Sequence, residues 1–110
     1  MRLVQKAFAT LSTLVLLSGQ ASAALITSVG PVASLRIEGN AGFIGLSQSM
    51  SSTSTCNARV WVDMTTPLGR SIYATAMMAF STGRTVTIRA SEESQRIFGE
   101  CNLYDLYVTQ

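Results

Sequence analysis

The chain has no histidine, and its one lysine, Lys6, lies near the start. Beyond that point neither an imidazole nor an ammonium is available for acid–base or Schiff-base chemistry, so an enzyme is not expected. The only cysteines are Cys56 and Cys101, with no histidine to complete a thiolate metal site. No ligand-spaced carboxylate loop supports calcium, so neither a metal nor a cofactor is expected. The glycines between Gly39 and Gly45 lack a following lysine and helix, which excludes a phosphate loop. No Asn-x-Ser/Thr sequon occurs.

Charge is also scarce, at 13% of residues, and it is unevenly placed. Arg2 and Lys6 precede a short apolar run from Ala7 to Leu17, and Ala21-Ser22-Ala23 follows it. A positive start, a short apolar core and small residues at the cleavage positions read as a secretory signal over residues 1–23. The run is too short to span a bilayer as a mature helix. The mature chain, 24–110, is then one small domain, secreted or periplasmic, with no membrane span expected in it. Its six arginines balance six carboxylates, so the net charge of +2 belongs to the leader. Nucleic-acid binding through a phosphate-neutralising patch loses its support.

Two cysteines in an exported chain are expected to pair, Cys56 with Cys101. The alternative is two buried thiols. Closing so long a loop stabilises a fold by roughly 4 kcal/mol on the chain-entropy model.

The clearest local pattern is residues 66–89. Thr66 suits an N-cap, Pro67 the first helical position and Gly83 the left-handed C-terminal cap, which predicts a helix over 67–82. Leu68, Ile72, Ala76, Ala79 and Phe80 recur at offsets of three and four and form the expected buried stripe. After Gly83 the period becomes two, with Val86 and Ile88 alternating against Thr85, Thr87 and Arg89, a strand over 84–90.

Upstream, residues 25–38 read as a long first strand, bent or bulged at Gly30-Pro31. Gly39 to Gly42 is a turn cluster, and Phe43 to Ser47 a second strand. The Ser/Thr run from Ser47 to Thr55 reads as an exposed loop. A third strand follows Cys56, with Ala58, Val60, Val62 and Met64 on one face and Arg59, Trp61, Asp63 and Thr65 on the other. Ser91 to Asn102 is a polar segment that Ile97-Phe98 can tuck back, and Leu103 to Thr109 is the last strand. The order β-β-β-α-β-β fits a small β-barrel of the five-stranded OB type, with one helix between strands three and four. A generic α+β sandwich of sheet and helix is the rival.

The run Ala79-Phe80-Ser81-Thr82-Gly83-Arg84-Thr85-Val86-Thr87-Ile88-Arg89 resembles the matching segment of pertussis-like and subtilase-cytotoxin-like B subunits. These are the small secreted OB-fold subunits that form the receptor-binding pentamers of bacterial A–B toxins. The layout is similar over most of the mature chain, and the residue-level likeness lies in residues 76–89 and the two cysteines. The resemblance implies an OB barrel, a Cys56–Cys101 bridge and a homopentamer. It also implies recognition of a cell-surface glycan or glycoprotein, and an enzymatic A chain as partner. A monomeric periplasmic or extracellular protein-interaction domain is the alternative, and a small hydrolase the weakest reading.

Two groups of side chains are candidates for contact. Trp61, flanked on its face by Arg59 and Asp63, offers an aromatic surface with charges to orient a sugar or peptide. Otherwise Trp61 lies under a loop or in a subunit interface. On the helix, Ala74, Met77 and Met78 form a second apolar zone away from the Leu68–Ile72–Phe80 stripe. Sister helices around an axis would cover it, or the Ser91–Asn102 segment would.

Overall fold

The computed structural model describes residues 25–48 and 55–109. The expected signal segment, residues 1–23, lies outside them, as does most of the Ser/Thr loop. Five strands and one helix follow in the expected order. They are β1 (Leu25–Glu38), β2 (Ala41–Leu46), β3 (Arg59–Asp63), α1 (Pro67–Thr82), β4 (Thr85–Ser91) and β5 (Cys101–Thr109). Among the described residues no helix is long and apolar enough to cross a membrane.

The strands form a mixed sheet whose order, β1-β2-β3-β5-β4, returns on itself as a ring. β1 makes this possible because it is long enough to serve two partners. Leu25 to Pro31 pair with β4, and Val32 to Glu38 pair with β2. Pro31, which has no N–H to give a ladder, sits at this changeover. The bend expected at Gly30-Pro31 lies slightly further on, as a register shift between Val32 and Ser34. Its effect is to change the phase of the strand, so that Val32 and Leu35 both reach the core. A second shift, between Arg89 and Ala90 against β5, does the same for Leu103 and Leu106. The β1–β2 turn is only Gly39-Asn40, with a positive φ at Gly39, so β2 begins at Ala41 and not at Phe43. β5 likewise begins earlier than expected, at Cys101.

The helix ends are as the capping residues dictate. The Thr66 hydroxyl accepts from Gly69 N–H at 2.9 Å, Pro67 opens the first turn, and Gly83 closes the last at φ 69°. The buried face keeps Ala76 and Ala79 of the expected stripe, with Ile72 partly buried beside them, and differs in the rest. It consists of Gly69, Tyr73, Ala76 and Ala79, while Leu68 and Phe80 are exposed. The reason is close approach to the ring, since the helix touches all five strands. A Cβ on Gly69 would overlap the Asp63 carbonyl, and one on Gly42 would lie 2.7 Å from the Tyr73 ring. Small residues let the helix seat tightly, and Tyr73 fills the space over Gly42. The large side chains of Leu68 and Phe80 fall beside the contact.

Inside the ring, Val32, Ile44, Val60, Val62, Val86, Ile88 and Ala90 pack with the helix face and with Cys101 and Leu103. The Cys56–Cys101 disulfide is present, joining the approach to β3 to the first residue of β5. It lies beside the shortest seam in the ring, the parallel β3–β5 pairing, which is confined to Val60↔Cys101 and Trp61↔Asn102.

Candidate functional site

On the outer face of β2 and β3, Ala41, Phe43 and Trp61 form a second buried cluster. The pairing register Ala41↔Asp63, Phe43↔Trp61 and Gly45↔Arg59 puts these side chains on one surface, away from the ring interior. The segment from Ser91 to Glu100 folds over that surface, with Ile97 packed on the cluster. Trp61 is 8% exposed, and its indole Nε1–H donates to the Gln95 carbonyl at 3.0 Å. It therefore lies under a loop and anchors it.

The loop is held in place by polar contacts at its base and tip. The Arg96 guanidinium donates to the carbonyls of Thr55 (3.0 Å), Gly99 (3.1 Å) and Glu92 (2.8 Å), and to the Thr55 hydroxyl (2.7 Å). Glu92 is not simply solvated, because it accepts from the Thr55 amide at 2.6 Å. That bond and the one from the Thr55 hydroxyl hold its carboxyl below the ordinary carboxylate range. The tip is a two-residue turn between Ile97 and Glu100, with Phe98 at φ 54° and Gly99 at φ 79°. Gly99 suits a positive φ, but an aromatic side chain there is uncommon and strained. Phe98 is 62% exposed, and its ring stacks on Phe43 at 5.8 Å between centroids.

Between this loop and the β1–β2 turn is an open cleft of about 490 Å³. Glu38, Gly39 and Asn40 form one wall, Gln95, Ile97 and Phe98 the other, and Ala41 and Trp61 the floor. Asp63 and Thr65 line it as well. Asp63 accepts from the Thr65 amide at 2.9 Å and hydroxyl at 2.6 Å, and these bonds hold its pKa below the usual 3.8. The cleft is thus built from carboxylates, amides, a hydroxyl and aromatic surface. Such a lining can accept and donate hydrogen bonds to a polyhydroxylated ligand while offering an apolar face to stack on.

Of the three residues expected to act together, Trp61 and Asp63 meet at the cleft and Arg59 does not line it. Arg59 turns to Glu100, to which it donates from Nε at 3.0 Å and from a terminal nitrogen at 2.6 Å, and it lies 5.0 Å over the Phe43 ring. Gly45 opposite leaves room for its stem, since a Cβ there would sit 3.0 Å from Arg59 Cγ. Glu100 is buried, and its second oxygen, Oε2, has no hydrogen-bond partner among the described residues. A pair of this kind costs most when one member is removed, so it serves to latch the loop onto β3.

The other lining residues carry little signal in the sequence. Glu38, Asn40, Thr65 and Gln95 are ordinary turn and loop residues. Phe98 had the better cue, as a large aromatic next to glycine in an otherwise polar stretch. Ala74, Met77 and Met78 are all exposed, the two methionines at 52% and 47%, and none lines the cleft. The Ser91–Glu100 segment covers Trp61, not this side of the helix. Among the described residues no group of three or more His, Cys, Asp or Glu side chains could hold a metal ion. Comparison with protein-family models, with curated proteins and with solved structures finds no match for this chain.

Proposed function

We propose that this chain is a secreted, non-enzymatic binding module that recognises a cell-surface saccharide in the cleft over β2 and β3. The ring of strands is read as a five-stranded OB-type barrel. One observation carries the proposal. The cleft lies on the β2–β3 face between the β1–β2 turn and the β4–β5 loop, which is where OB-type barrels take oligonucleotides and oligosaccharides. Of those two ligands, the polyanion is disfavoured by a lining that, among the described residues, contains Glu38 and Asp63 and no lysine or arginine. The disulfide supports an oxidising compartment, and the leader-like residues 1–23 support export to it.

The test is a glycan array probed with the mature protein and with Phe98→Gly. Glycine suits the backbone at φ 54° while deleting the exposed ring. The variant is expected to lose binding about tenfold or more, worth about 1.4 kcal/mol. Its Tm is expected to stay within about 2 °C, because relieved backbone strain offsets the lost contact with Phe43. Unchanged binding by Phe98→Gly, or no glycan bound by the folded protein, refutes the reading.

Assembly through the helix face that bears Ala74, Met77 and Met78 belongs to the same proposal, supported by the exposure of both methionines. Light scattering at micromolar concentration is expected to return a multiple of one chain mass, five in a toxin-like ring. A single chain mass removes assembly from the proposal and leaves a monomeric binding domain.

A further inference from the structure

We propose that the saccharide taken by the cleft is uncharged, and that the cleft discriminates against sugars carrying a carboxylate, sulfate or phosphate. The inference rests on the cleft being the glycan site.

The charged groups around the cleft are unevenly committed. Two carboxylates, Glu38 and Asp63, line it, and among the described residues no basic side chain does. The nearby guanidiniums are each taken up within the protein. Arg36 pairs with Glu38 on the outside of β1, which offsets part of that carboxylate's charge. Asp63, bonded by the Thr65 amide and hydroxyl, is then the lining carboxylate not held in an ion pair among the described residues. Arg70 donates to the Met64 carbonyl. Arg59 is held by Glu100 and stacked on Phe43. Arg96 spends its donors on Thr55, Gly99 and Glu92. Residues 49–54, which precede the loop's anchor at Thr55, contain only serine, threonine and methionine and bring no further charge.

An anionic sugar entering this cleft would be desolvated against Asp63 and the Arg36-paired Glu38, with the nearby guanidiniums already engaged within the protein. A neutral sugar meets the reverse situation. Its hydroxyls donate to Glu38 and Asp63 in charge-assisted bonds, which are shorter and stronger than those between neutral groups. The side chains of Asn40 and Gln95 can both donate and accept, which suits the remaining hydroxyls. Phe98, with one side toward Phe43 and most of the residue in solvent, offers the apolar platform on which the C–H face of a pyranose can lie. The strained φ at Phe98 is the cost of holding that ring at the cleft rather than folding it away.

The test compares paired oligosaccharides, each neutral chain beside the same chain capped with sialic acid, on the mature protein and on Glu38→Gln. Glu38 is a surface residue, so the isosteric change is not expected to affect folding. Wild type is expected to bind neutral members at least tenfold more tightly than their sialylated partners. Raising the salt from 20 to 500 mM is expected to narrow the gap, because screening weakens repulsion and leaves neutral binding unaffected. Glu38→Gln is expected to narrow it at low salt. Equal or tighter binding of the sialylated members, or a gap untouched by both salt and Glu38→Gln, overturns this inference and leaves saccharide binding standing. Binding of neither class by monodisperse, folded protein overturns both.

Discussion

Replacing Cys56 and Cys101 together by serine is expected to destabilise the domain by about 4 kcal/mol, the chain-entropy value for a loop of this length. The bridge spans a sequence separation of 45 residues. Small domains have only about 5–15 kcal/mol in total, so a loss of this size removes between about a quarter and four-fifths of the stability. The geometry gives the loss a direction. β3 and β5 share only two paired positions, whereas the other seams of the ring extend over five or more. The bridge is the covalent support of that short seam, and the cleft loop hangs from its far side. Hydrogen exchange on the double serine variant is expected to rise first at Val60, Trp61 and Asn102, before the β1–β4 ladder. Uniform loss across the ring would mean that the bridge acts on the unfolded chain alone. A denaturation midpoint equal to wild type would show that it does little.

Trp61→Ala is the second large effect. The indole is buried between Phe43 and the loop, so truncation to alanine removes most of a core side chain at a cost of about 3–5 kcal/mol. It also leaves the Gln95 carbonyl without its donor, worth about 1 kcal/mol. Trp61→Phe keeps most of the apolar surface and is expected to recover all but the hydrogen-bond term. Denaturant unfolding followed by far-UV circular dichroism measures both variants. A Trp61→Ala midpoint close to wild type would contradict the anchoring role. Any loss of ligand binding in Trp61→Ala is therefore to be read beside its stability, whereas Phe98→Gly separates the two.

How much of this was legible in the chain depends on the range of the interaction involved. The helix boundaries were readable because Thr66, Pro67 and Gly83 act within one turn of themselves. The strands were readable because alternation of Val60 and Val62, or Val86 and Ile88, is a local consequence of a pleated backbone with one face buried. The buried face of the helix was readable only in part. Hydrophobicity put Ala76 and Ala79 inside correctly but added Leu68 and Phe80, and the close seat on the ring instead admits Gly69 and places Tyr73 over Gly42. Strand parity grouped Arg59 with Trp61 and Asp63 correctly as a face. It could not show that a carboxylate 41 residues away, Glu100, would claim the arginine. The cleft is the least legible feature, because its far wall is a polar loop with no periodicity. That loop is positioned by the disulfide, by Arg96 and by a strained turn at Phe98.

The central claim is that a neutral saccharide occupies the cleft over β2 and β3. Trp61 is the only tryptophan, so its indole N–H gives a single resonance from the cleft floor. The most direct measurement is a two-dimensional proton–nitrogen titration of residues 24–110 with a neutral oligosaccharide selected on the array. The indole signal and the amides of Asn40, Gln95 and Phe98 are expected to shift together and saturate at one affinity, with Met77 and Tyr107 unmoved. Saturable shifts at Met77 or Tyr107 with a stationary indole signal would contradict the account.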